Sequence, residues 1–206
     1  MSLKSEKVFK CFNITIIMSF IKTEIRDLDI QVIQAYKNAI KKGNLNIPCY
    51  QEDIFNSEKG STLVSPANTY GIMDGGLDQE FLNFFGYELQ TQVLNYLDNM
   101  HEGKLDIGKS QIIPTNHNKY KHIIITPTIE KPGFRSSPKN IYDATKSIIN
   151  ETTKFNKGAP VSFKIKNLVI PGLGTGFGDM IPQESANAFV QGYKEGINEL
   201  QNDYTI

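Results

Sequence analysis

The sequence contains four glycines at every second position: Gly172, Gly174, Gly176 and Gly178. They follow the uncharged run "NLVIP" and lead into a helical pattern opening near Pro182. A strand–loop–helix junction of this kind presents unpaired N–H groups and a helix dipole, the two ingredients of an anion site. A second loop, "SPANTYGIMDGGLDQEF" at 65–81, repeats the arrangement. It sets Gly75 and Gly76 just before a helix, Asp78 in the first turn, and Asn68 at the end of a short strand, where α/β sheets gather their active-site residues. Read alone, Asn68 is a turn residue and Asp78 a complement to the helix dipole. Read with the other glycine loop, they form two walls of one anion site, and two phosphate cradles suit a diphosphate flanked by larger groups. Asp53, in "QEDIF" between apolar strands, either turns the chain or accepts hydrogen bonds from an adenine amino group.

Two familiar phosphate signatures fail when counted. No lysine follows the glycines, as a P-loop requires. The dinucleotide pattern G-x-G-x-x-G meets Phe177 when counted from Gly172 and Asp179 when counted from Gly174.

The elements that position these residues follow from periodicity. "SFIKTEI" predicts a strand, followed by a helix with Leu28, Val32, Tyr36 and Ile40 on one face, Asp27 as its cap and Gly43 at its end. "IPCYQEDIF" and "STLVSPA" are short strands. Phe81, Phe85, Leu89, Val93 and Leu97 form a helical stripe that Gly86 interrupts. "SQIIPT", "HIIITPTI" and "KNLVIPG" are buried-type strands. Ile141, Ala144 and Ile148 mark a further helix, and the last helix buries Ala186, Phe189 or Val190, Tyr193, Ile197 and Leu200. Alternating strands and helices predict an α/β layered domain with a largely parallel sheet covered on both faces.

At 206 residues the chain is read as one domain able to bury a full core, with residues 1–17 a peripheral extension and 18–206 the domain. Lys and Arg total 22 and balance 22 Asp and Glu, so no global field draws it to nucleic acid or an acidic membrane. Cys11 and Cys49 form neither a metal spacing nor a disulfide framework, and with no signal-peptide pattern the expected location is the cytoplasm. The run "CFNITIIMSFI" is too short and polar to span a membrane. None of the three histidines fits a catalytic triad.

In order and spacing these segments resemble the macro domain, the ADP-ribose-binding fold, over most of residues 20–200. "EDI" (Glu52, Asp53, Ile54) resembles the family's Gly-Asp-Ile motif. "SPAN" with "DGGLD" resembles Asn-Ala-Ala-Asn and its Gly-Gly-Gly-Val-Asp loop, and "GTGFG" resembles the second phosphate loop. "SPANTYGIMDGGLD", "IIITPT" and "PGLGTGFGDM" together are similar to a macro-domain-like subgroup of bacteria and viruses.

The resemblance implies a three-layer α/β/α fold with a central mixed, largely parallel sheet. It implies that Asp53 reads the adenine amino group and that Ile54 lines the base pocket. The pyrophosphate falls to the backbone amides of Gly75, Gly76 and Leu77 and of Gly174, Thr175, Gly176, Phe177 and Gly178. Asn68 holds the distal ribose hydroxyls, and Phe177 packs on that ribose or joins the core. In an enzyme, Asn68 and Asp78 are the catalytic residues, with Asp78 directing a water at the anomeric carbon. No cofactor or metal is implied. The partner is ADP-ribose or an ADP-ribosylated protein, and the alternatives are a non-catalytic reader or a nucleotide- or RNA-binding module. Four departures stand out. Asp74 replaces the first loop glycine, Glu52 the glycine before Asp53, and Gly174 a serine. "IEKP" at 129–132 stands where the subgroup suggests Met-Arg.

Overall fold

The computed structural model describes residues 21–203; the predicted extension at 1–17 and the start of the first strand lie outside them. The elements run β1 (Lys22–Asp27), α1 (Ile30–Lys42), β2 (Cys49–Gln51), β3 (Thr62–Ser65), α2 (Gly76–Phe85), α3 (Glu88–His101), β4 (Gln111–Pro114), β5 (His122–Ile125), α4 (Pro138–Gly158), β6 (Asn167–Ile170) and α5 (Pro182–Asp203).

The six strands form one sheet in the order β2-β1-β6-β3-β5-β4. All neighbours are parallel except β4, which pairs antiparallel with β5 from Gln111 opposite Ile125 to Pro114 opposite His122. Pro114 lacks an N–H to donate, and its place on an edge strand suits that.

Alternation along the strands divides the core. Val64, Ile112, Ile124, Leu168 and Ile170 join the side chains of α1, α4 and α5 in one cluster. Their neighbours Leu63, Ile113, Ile123, Ile125 and Val169 face the other way, onto α2 and α3. Since successive strand residues point to opposite faces, continuous apolar strands require cover on both sides, and the chain is a three-layer α/β/α fold. No helix among the described residues is long and apolar enough to cross a membrane.

Two local expectations need correction. Asp29, not Asp27, caps α1, accepting the Gln31 N–H at 2.7 Å. Leu28 lies outside the helix and is 71% exposed, whereas Val32, Tyr36 and Ile40 are buried as predicted. The interruption expected at Gly86 is present: that residue adopts φ 92° and ends α2, so the stripe from Phe81 to Leu97 spans two helices.

Candidate functional site

At the carboxyl ends of β1, β3 and β6 lies a cleft of about 640 Å³. This is the side of a parallel sheet on which every strand opens into a loop, so residues distant in sequence converge there.

The first wall is the β3–α2 loop. Asn68 is 5% exposed, and its Oδ1 accepts the N–H groups of Tyr70 (3.1 Å) and Ile72 (3.3 Å). Its Nδ2 donates to the Ile72 carbonyl at 2.7 Å, which accounts for one of its two amide protons. Asn68 thus shapes the loop and lines the cleft at once. Gln90 of α3 steadies the same loop, accepting the Met73 N–H and donating to the Gly71 carbonyl, both at 2.7 Å. The loop ends at Gly75, which caps α2 without a side-chain hydrogen bond, so the first-turn N–H groups face the cleft uncapped. Gly76 has φ +56°, and a Cβ there would meet the Phe177 ring at 2.8 Å. A side chain would therefore be strained and would also collide with the opposite wall.

The second wall is the β6–α5 loop, held from below by three side chains. The Asp27 carboxylate accepts the Gly172 N–H at 3.0 Å. The Tyr36 hydroxyl accepts the Leu173 N–H at 3.1 Å, and Ser185 Oγ donates to the Leu173 carbonyl at 2.6 Å. Tyr36 and Ser185 also touch, at 2.9 Å. Above this base, the carbonyls of Gly174 and Gly176 accept the N–H groups of Met180 and Asp179. Among the described residues, the N–H groups of 174–178 donate to no protein acceptor. Phe177 is 63% exposed and lies across Gly75 and Gly76, so the alternative of a core side chain falls.

A third wall was missed in the sequence. Residues 128–136 strap the two loops together. Thr69 donates twice to the Glu130 carbonyl, and Ser136 donates to the carbonyls of Gly178 (2.9 Å) and Thr128 (2.8 Å). Thr128, Ile129 and Pro132 line the cleft. Thr128 and Ile129 close the predicted strand "HIIITPTI", and the parallel bridge from Asn68 to Ile129 is visible only once β3 and β5 are neighbours.

Asp78 is the titratable group set deepest in the cleft. Burial pushes its carboxyl up to about 6; a hydrogen bond from Ser65 opposes that rise, and the nearby Asp74 carboxylate adds to it. Asp74 itself is exposed on the cleft rim.

Asp53 and Ile54 do not line the cleft. Asp53 is exposed and accepts the Phe55 N–H at 2.8 Å, capping a short 3-10 turn, and Ile54 packs into the core beneath α2. The cleft reaches toward them only as far as the β1–α1 turn, through Asp27, Asp29, Gln31 and Val32. Glu52, in place of the family's glycine, pairs with Arg26 at 2.5 Å and ties the end of β2 to β1.

A model of the Macro domain family matches residues 64–189. An uncharacterised protein of Aquifex aeolicus is 28% identical over 129 residues, which are 63% of this chain and 70% of that protein. Among solved structures, the macrodomain of Mycobacterium tuberculosis DarG superposes with a TM-score of 0.58 at 22% identity, covering 70% of this chain and 87% of that one. Thermosipho africanus DarTG in complex with ADP-ribose gives 0.55 at 20% identity, covering 81% of this chain and 49% of that one. At these identities the structural likeness speaks for the fold.

Proposed function

Because the chain belongs to the Macro domain family, we propose that its cleft binds ADP-ribose or an ADP-ribose derivative and hydrolyses ADP-ribosyl linkages. The observation that carries the reading is the pair of glycine loops whose N–H groups converge on one cleft. Oriented amides hold a pyrophosphate without lysine or arginine, which suits a chain whose formal net charge is zero.

In this reading the pyrophosphate lies between the amides of 75–77 and those of 174–178. The distal ribose meets Asn68 and the Phe177 ring. The base lies toward the β1–α1 turn, with Asp53 and Ile54 beyond it. The domain runs over 18–206, since β1 and α1, which precede the family match, complete the cleft. The buried free thiol of Cys49 is at home in the cytoplasm, the proposed location.

Asp78 supplies the chemistry. Ionised above about pH 6, it accepts a proton from a water as that water's oxygen attacks the anomeric carbon of the distal ribose. The bond from that carbon to the modified group breaks, and the leaving oxygen keeps the electron pair. Suitable leaving groups are the carboxylate of an acidic side chain, acetate or phosphate. The transition state is oxocarbenium-like, so water position matters more than a covalent nucleophile.

Calorimetry with ADP-ribose, with AMP and NAD as controls, tests the binding. Release of ADP-ribose from a modified acidic protein tests the reaction. Micromolar binding with turnover lost in Asp78→Ala is expected. Tight binding without release would make the protein a reader, and no binding at millimolar ligand would remove the reading altogether.

A further inference from the structure

Ser65 is the last residue of β3 and is fully buried. It stands where the family's Asn-Ala-Ala-Asn motif has its first asparagine, and its Oγ donates a hydrogen bond to Asp78 Oδ1. We propose that Ser65 is a positioning residue, which holds the Asp78 carboxylate in one orientation at the cleft. The consequence for turnover rests on the functional reading above; the pairing itself does not.

The argument is geometric. Asp78 sits in the first turn of α2, where its side chain reaches back to the end of β3. A single donor from a rigid central strand selects one orientation for it. Ser65 is anchored by the parallel ladder to β5, where it pairs with Ile125, and its carbonyl accepts the Thr126 N–H at 3.0 Å. A hydroxyl can give its one proton to a carboxylate and leave the second carboxylate oxygen for a water.

The electrostatic balance makes that donor matter. Burial favours the neutral acid, and so does the Asp74 charge at the start of the same loop–helix segment; the hydrogen bond from Ser65 favours the anion. Removing the hydroxyl therefore leaves the two opposing influences uncompensated, and the carboxyl holds its proton to higher pH.

The test is a carboxyl ¹³C NMR titration of Asp78 in the full chain, alongside the pH dependence of ADP-ribose release. For Ser65→Ala the Asp78 midpoint is expected to move upward from about 6. The acidic limb of the rate profile should move with it, kcat at pH 7 should fall by about tenfold, and KM should change little. Ser65→Thr should restore both midpoints. Ser65→Cys keeps the packing with a weaker donor and should lie between serine and alanine.

An Asp78 midpoint unchanged in Ser65→Ala, or in Ser65→Cys should the alanine variant not fold, overturns the proposal. So does a loss that threonine fails to rescue. Failure of the functional reading looks different: wild-type protein would not bind ADP-ribose, yet the Asp78 midpoint would still respond to residue 65.

Discussion

Asp78 carries opposite demands. Under the proposed function, a carboxylate set into the cleft wall serves as a base because its proton affinity is raised, and the desolvation that raises it opposes folding. The sign follows from the two midpoints. The folded protein releases the proton at about 6 and the unfolded chain at 3.8, so the folded state binds more protons between them. Stability from this group is fully present below about pH 4, declines as pH rises to about 6, and is flat above. The difference amounts to roughly 3 kcal/mol at most. Asp78→Asn is therefore expected to melt above wild type at pH 8, with the gap closing below pH 4, while ADP-ribose release falls at least ~100-fold. Thermal melts across that range, paired with turnover, check both halves; a variant less stable than wild type at pH 8 would contradict the account.

At the scale of elements, the β6–α5 loop is pinned at its base by side chains from three elements: Asp27 at the end of β1, Tyr36 in α1 and Ser185 in α5. The amides above that base are left for a ligand, and a loop held in advance loses less entropy on binding. Tyr36→Phe removes the acceptor of the buried Leu173 N–H at nearly constant volume. The cost should be about 1–3 kcal/mol, read as a lowered melting temperature, with ADP-ribose affinity reduced by a few fold and the Asp78 titration unmoved. Gly174→Ala acts on the loop itself. Its φ is +71°, and the new methyl would lie 2.7 Å from Ile141 Cδ1. Calorimetry should show a loss of more than tenfold in affinity.

For the molecule as a whole, the balance of charge sets a signature of binding. Ligand held by amides releases few counterions, so the dissociation constant for ADP-ribose should vary by less than about tenfold between 50 and 500 mM salt. A nucleic-acid module relying on lysine contacts loses orders of magnitude over a smaller range. A steep salt dependence would favour the nucleotide- or RNA-binding alternative. Saturating ADP-ribose should also raise the melting temperature, by about 2.7 kcal/mol of stabilisation at one hundred times the dissociation constant.

Local order determined much of this protein in the sequence itself. Strand and helix periodicity, the break at Gly86 and the two glycine loops are short-range properties, and each is readable because it depends on residues within a turn or two. The family resemblance followed from the same segments. Tertiary structure decided what comes together across the sheet. Asp27 reads as a helix cap by sequence, yet its carboxylate holds Gly172, 145 positions away. Ser65 reads as one residue of a short strand and meets Asp78, and "IEKP" reads as a departure from the subgroup's Met-Arg and lies in the third wall. These contacts arise because parallel strands open on one side, and that convergence has no counterpart in the spacing of residues along the chain.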